Sequence, residues 1–264
     1  MKHGAVLILA LSIAACSAKG DQPQDVNPSP LGNGMRMRDV QDPSKNACSG
    51  QACAGQSVKV TSVVVTAVDN FDETQNGKSR GTIYVQDADI AGPYAGISMY
   101  SPTYVPANLR LAPGDVINMN GQYVEQQTIG STVNFAPNFL PQMNKPQVSP
   151  AFETKVPTPV VVPLSDLMSF STARKWIGML VTIEDVTAFQ PNAYDSTGLR
   201  VAANLTSIVN GPAINNELFD LQPWNGSNTS NSFASNTHFK SVTGIVDFFF
   251  SIYIAPRSMA DLVQ

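Results

Sequence analysis

The chain has 264 residues, 43% hydrophobic and 14% charged, which is enough apolar material for one large core or two small ones. It carries 16 Lys and Arg against 20 Asp and Glu, and that acidic balance is poorly suited to non-specific phosphate binding, which runs on clustered cations. The 18 glycines and 19 prolines, with abundant Val and Thr, point away from a helical protein and towards an all-β one rich in turns.

Residues 1–15 read as an export leader, with a basic start at Lys2 and His3, an apolar run over 5–13 and small residues before Cys16. The run is too short for a mature transmembrane helix. The stretch Ile-Ala-Ala-Cys resembles the bacterial lipobox, and the resemblance implies cleavage before Cys16 and acylation of its thiol and amino group. Several acyl chains on one residue give lasting anchorage without a span. Ser17, in place of Asp, leans by the same resemblance towards the outer membrane, so the expected location is the cell envelope. An ordinary secretory leader cut nearby, or a cytoplasmic start, are the competing readings.

Residues 16–55 are Pro, Gly, Asn, Asp and Ser with few large apolar side chains, the composition of a flexible tether. Cys48 and Cys53 lie in it. In an exported chain such a pair most simply closes a disulfide, since a metal site needs two further ligands and no histidine is near.

A first folded domain is expected over 56–150. The β-branched run at Val58, Val60, Val63, Val65 and Val68 predicts a long strand, followed by a polar loop with Lys78 and Arg80. Short strands follow at TIYVQDAD, AGISMYS and DVINMNGQYVEQ, each bounded by Gly, Pro or Asp, and STVNFAPNFLPQ is expected to add one more before prolines stop it. Residues 151–264 then comprise a Pro-rich bridge and a second domain. SDLMSFSTARKW is the one convincing helix start, with Ser165 as its expected cap and Trp176 packing the helix end on the sheet. GMLVTIEDVTAF, GLRVAANL and HFKSVTGIVDFFFSIYIA supply strands.

The segments VVVTAVDNF and MLVTIEDVTAF share a pattern, as do VINMNGQYVE and KSVTGIVDFF, in the same order. Two copies of one all-β domain are therefore expected. Gly244 inside a strand pattern predicts a bulge or sharp coil. Phe248, Phe249 and Phe250 alternate faces, so one ring leaves the core. The run broken by Ser251 and stopped by Pro256 is not a transmembrane helix.

The order SVVVTAV, GTIYVQDAD, GISMY, APGDVINMNGQYVEQ is similar to the OB-fold domains that accompany secreted bacterial nucleases. KWIGMLVTIEDV resembles the opening of a following copy and GIVDFFFSIYIAPRSMADL its close, so the likeness covers most of 58–262. It implies two tandem OB-like small β-barrels. The nuclease module of that group has no counterpart in the chain, so the accessory fold is implied and the reaction is not.

The residues themselves offer little chemistry. His238 is the sole histidine past the leader and reads as a surface residue. No phosphate loop, nucleophile elbow or zinc-spaced His pair is present. Asp69, Asp72, Glu73, Asp87 and Asp89 suggest a calcium cluster or, more simply, turn caps. No catalytic residue, metal or cofactor is assigned. OB-folds bind across strands two and three and the neighbouring loops. This marks Lys78, Arg80, Tyr84, Gln86, Tyr100 and Tyr104 in the first copy and Trp224 in the second as ligand-binding candidates, with a half-buried Tyr84 and a merely solvated Lys78 and Arg80 as the plainer alternative. Arg257 is expected to hold the C-terminal segment.

The expected function is non-catalytic recognition of an envelope protein, a polysaccharide or nucleic acid. The acidic charge and the absence of a basic stripe disfavour nucleic acid. A metal-assisted hydrolase using carboxylates, or a pure scaffold of an envelope assembly, are the alternatives.

Overall fold

A computed structural model describes residues 34–72, 77–79, 81–127, 139–187, 203–204, 212–219, 236–249 and 251–264. The protein is all-β, with short helical turns set between strands. Five main strands form the first sheet: β1 (Ser57–Val68), β2 (Ile83–Asp87), β3 (Gly96–Tyr100), β5 (Asp115–Gln127) and β6 (Phe139–Glu153). The two-residue β4 (Thr103–Tyr104) lies along β6. The strand order is β3-β2-β1-β5-β6-β4, with a further parallel pairing of β3 to β6.

Period-2 alternation turns Val63, Val65, Ile83, Val85, Ile97, Met99, Ile117 and Met119 inward to one core. β1 is irregular between Val60 and Val63, where Ser62 has a φ of 56°, so that two stretches of the strand keep their apolar side chains inside.

β6 crosses the region read as the start of a Pro-rich bridge and carries the first sheet on to Glu153. Two of its three prolines, Pro146 and Pro150, stand where the ladder is irregular. Register with β5 shifts between Asn120 and Gln122, opposite Pro146, and between Val116 and Ile117, beside Pro150. A strand at a bulge does not need the N–H that proline lacks.

The expected tether is also corrected from residue 34 on. Met37, Val40 and Cys53 are buried in the first core. Helix α1 (Met37–Gln41) is held at its N-terminus by Asp87 of β2, whose carboxylate accepts the Met37 and Arg38 N–H groups at 2.8 and 3.2 Å. Cys48 and Cys53 form the expected disulfide, with Cα atoms 5.1 Å apart.

The second sheet contains β7 (Val160–Val161), β8 (Leu180–Thr187), β9 (Ala203–Asn204), β10 (Ala213–Ile214), β11 (His238–Phe249), β12 (Ser251–Ala255) and β13 (Leu262–Val263). Its order is β7-β8-β11-β12-β10-β9, with β13 on β11. The C-terminal aromatic run is thus an antiparallel pair of strands. Phe248 is buried in the second core, and the side chains of Phe249 and Phe250 lie outside the described residues. Gly244 continues the β8 ladder opposite Val181 in unbroken register; a Cβ there would stand 2.6 Å from the Ala255 carbonyl oxygen, so close strand approach explains it.

The helical stretch before β8 is broken into a 3-10 turn (Leu164–Leu167), helix α2 (Phe170–Ala173) and a second 3-10 turn (Arg174–Trp176). Its cap is Ser169, which accepts from the Thr172 N–H at 3.4 Å, and not Ser165. Trp176 packs into the second core and donates to Asp166 at 2.9 Å. Arg257 binds Asp261 through Nε and Nη2 at 3.0 and 2.9 Å, pinning the C-terminal segment.

A third, smaller cluster of Ala67, Tyr84, Leu180, Ile245 and Ala255 joins the two sheets. Gly96 of β3 and Gly178, just before β8, meet backbone to backbone beside it.

Candidate recognition surface

β2 places Ile83 and Val85 in the first core, so Tyr84 and Gln86 project from the opposite face. That face is covered by the second sheet. Tyr84 is 1% exposed, and its hydroxyl donates to Glu217 Oε1 at 3.0 Å. Gln86 is also buried, its Oε1 accepting the Leu180 N–H at 3.2 Å. Burial, then the nearby Asp247 and Glu217 carboxylates, push the Tyr84 phenol well above its ordinary range, so it remains a neutral donor. Two of the candidate ligand residues are therefore committed to the seam. Their cover arrives from segments over ninety residues away in the chain, beyond any local pattern.

The remaining described candidates stand elsewhere. Tyr100, at the end of β3, is 54% exposed. The β2–β3 register sets Met99 opposite Ile83, so Tyr100 adjoins the point where the loop bearing Lys78 enters β2. Lys78 is exposed. Tyr104 is half-buried against the first core, and that burial raises its phenol. Tyr100 pairs with Asn144 and Tyr104 with Val148 along β6, four residues apart and so separated by about 13 Å along the strand. The two rings are separate footholds and do not make one stacking platform. Arg80, Trp224 and Cys16 lie outside the described residues.

The acidic residues serve local structure. Asp69 accepts from the Phe71 N–H at 3.3 Å and Asp72 from the Gly77 N–H at 2.6 Å. Asp89 pairs with Arg36 at 3.2 Å and Arg38 at 3.1 Å. Glu73 is outside the described residues. Among the described residues no three His, Cys, Asp or Glu side chains are grouped to hold a metal. His238 is exposed, with Nε2 2.7 Å from Asp185 Oδ1.

Asp87 is the exception in its electrostatics. Its side chain is wholly buried, and desolvation raises its pKa from 3.8 to about 6 despite the Met37 and Arg38 N–H groups and the Arg38 guanidinium, which favour the charged form. The folded carboxyl thus holds its proton more tightly than the unfolded one. Its contribution to stability is complete below the unfolded pKa and is lost as pH rises through the folded value of about 6. Urea unfolding of the protein and of Asp87→Asn across this range is expected to separate that contribution as a fall of about 3 kcal/mol from acid to neutral pH, present only with Asp87. Parallel pH profiles for the two proteins would contradict it.

Sequence reasoning missed the residue that joins three parts of the chain. Arg174 Nη2 donates to Tyr123 Oη at 2.6 Å and Glu125 Oε1 at 2.7 Å, while Nη1 donates to Gln41 Oε1 at 3.2 Å. The stretch Ala-Arg-Lys-Trp held the signal, a cation beside a buried aromatic, without naming its partners. Comparison of the chain with family models, with curated proteins and with solved structures returned no match.

Proposed function

We propose that the chain is a non-catalytic recognition protein of the cell envelope, built from two OB-type barrels in tandem and carried on a lipid at Cys16. The supporting observation is a shared ladder order. In the first sheet β1–β2, β1–β5 and β5–β6 are antiparallel, β2–β3 is antiparallel and β3–β6 parallel, a sequence of pairings that runs round to its start. In the second sheet β8–β11 and β11–β12 are antiparallel, β9–β10 is antiparallel and β10–β12 parallel, matching four of those five ladders in order and sense. The resemblance to OB-fold domains beside secreted nucleases supports the same reading and brings no reaction with it.

With Tyr84 and Gln86 taken by the seam, the proposed contact residues are Lys78, Tyr100 and Tyr104, together with Arg80 and Trp224. The partner proposed is an envelope protein or polysaccharide, in keeping with a net charge of -4. The buried seam also favours a second reading, in which the two barrels form a rigid spacer of an envelope assembly.

Purified protein is tested for retention on peptidoglycan sacculi and on immobilised solubilised envelope proteins, and for binding of labelled single-stranded DNA by anisotropy. Retention on either envelope fraction that drops at least tenfold with Tyr100→Ala is the expected result. Salt-sensitive DNA binding would replace the partner class, and no retention would leave the spacer reading. In cells, Cys16→Ser is expected to release the protein from the membrane fraction; unchanged membrane association would remove the lipid anchor.

A further inference from the structure

Strand alternation sorts the far half of the first sheet as it sorts β2. Met119 and Tyr123 of β5 and Met143 and Val148 of β6 point into the first core. Asn120, Gln122, Asn144 and Gln147 therefore project from the opposite face. The ladder brings these amides into one block, with Gln122 opposite Asn144 and Asn120 opposite Gln147. The bulge between the two pairs adds one residue to β6, so Asn144 and Gln147 share a face although they are three apart. β3 extends the first row by setting Tyr100 beside Asn144, and β1 extends the second by setting Lys59 beside Asn120. At ordinary strand spacing the row Gln122, Asn144, Tyr100 spans about 10 Å, with the second row about 7 Å away.

The second sheet covers the face at Tyr84 and Gln86, but this one meets solvent. Gln122, Gln147, Lys59 and Tyr100 are exposed, and Asn120 and Asn144 are half-buried. Gln122 Nε2 donates to the Gly55 carbonyl at 3.2 Å, which anchors that side chain and leaves its Oε1 as an acceptor. Asn144, between Gln122 and Tyr100, has its Oδ1 shut from solvent and meets no donor. A buried acceptor without a donor is uncommon in a folded protein, and a ligand hydroxyl seated against this half-buried amide would supply one.

We propose that this face binds an uncharged polysaccharide, with Tyr100 as the stacking platform and the amides of β5 and β6 as the hydrogen-bonding array. Each amide offers both donors and an acceptor, which suits a polymer whose hydroxyls are also both. Tyr100 presents a flat apolar ring with a polar tip, and the CH face of a sugar ring can lie against it. A protein partner calls for an apolar, aromatic-rich centre, and the two rows hold no aliphatic side chain. Nucleic acid calls for clustered cations, and the nearby ones are Lys59 and, in the β6 bulge, Lys145. A net charge of -4 also opposes an acidic polysaccharide. The assignment rests on the recognition reading at Tyr100 and narrows its partner.

The probes are cellohexaose, maltohexaose and chitohexaose, each titrated into the purified protein by calorimetry, with hexagalacturonate as the acidic comparison. At least one uncharged probe is expected to bind saturably with a Kd below about 1 mM, unchanged between low and high salt. Tyr100→Ala is expected to weaken it at least tenfold, and Asn144→Ala and Gln147→Ala at least fivefold each. Ile90→Ser, at an exposed side chain in the β2–β3 turn, is expected to leave binding as it is. On the unaltered protein, the same probe is expected to shift the side-chain amide resonances of Asn144 and Gln122 in NMR spectra, which decides the matter if a variant fails to fold. No saturation by any uncharged probe up to about 10 mM overturns the proposal. So does tighter, salt-sensitive binding of hexagalacturonate, or binding that survives both Asn144→Ala and Gln147→Ala. Retention on envelope proteins that falls with Tyr100→Ala yet is kept by Asn144→Ala and Gln147→Ala overturns the polysaccharide and leaves the recognition reading. Binding of an uncharged probe at these amides, with no retention on either envelope fraction, supports the site and removes the envelope partner.

Discussion

Gly178→Ala is expected to lower the unfolding free energy by at least about 3 kcal/mol, read from the urea midpoint. Two causes combine. Gly178 has a φ of 85°, where a Cβ is strained in any surroundings. That Cβ would also stand 2.5 Å from the Ile97 nitrogen and 2.6 Å from its Cα. These are backbone atoms of β3, which cannot turn aside as a side chain would. Gly96→Ala is expected to act in the same direction, since its Cβ would meet the Gly178 carbonyl carbon at 2.5 Å. Relief requires the sheets to part, which would loosen the packing of Tyr84 and Leu180. Gly92→Ala, with no atom within 4 Å of the new Cβ, is the control and is expected to change little. A Gly178→Ala protein within 1 kcal/mol of the parent would mean that the sheets do not meet as described.

Arg174→Met is expected to cost about 2–3 kcal/mol at neutral pH, near the lower end for a broken ion pair because Glu125 keeps some contact with solvent. The side chains of Arg174 and Glu125 are 12% and 33% exposed. Methionine keeps most of the aliphatic bulk and leaves Glu125, Tyr123 and Gln41 without their shared donor. It also removes the guanidinium held 5.8 Å from the centre of the Tyr94 ring. Burial pushes the Glu125 carboxyl up, but the Arg174 hydrogen bond and charge outweigh it, so its pKa lies below the ordinary value. A depressed carboxylate gives stability that is present above the unfolded pKa and lost as pH falls through the folded one. The deficit of Arg174→Met is therefore expected to shrink in acid. Urea unfolding of parent and variant at neutral and acid pH measures it; an equal deficit at both would leave packing, and not the ion pair, as the cause. Arg174→Lys is not expected to rescue fully, because one ammonium cannot reproduce the forked contacts to Glu125 and Gln41.

These sites also mark how far the sequence could be read. β1, β2, β3 and β5 were legible because alternating Val, Ile and Met encode a buried face directly. β6 was legible only at its start, in STVNFAPNFLPQ, since Pro146 and Pro150 suggest a linker unless the irregular register of its neighbour is known. The segment around Met37 and Val40 was read as tether for a related reason. Its few apolar residues are spaced too sparsely to announce a core, and the group that fixes the helix, Asp87, lies fifty residues away from Met37. The disulfide was legible from two closely spaced cysteines in a chain read as exported. Within the candidate site, Tyr84 and Gln86 were marked for a ligand, and local sequence could not show that Glu217 and Leu180 would cover them. Tyr100 stands exposed at a strand end.

The most direct measurement replaces Tyr100, and separately Tyr84, with a photo-crosslinking phenylalanine analogue in the producing cells and looks for adducts of discrete mass after irradiation. Recognition through the exposed surface predicts an intermolecular adduct from position 100 and none from position 84. An intermolecular adduct from position 84 would contradict the closed seam, and silence at both positions would contradict recognition by this face.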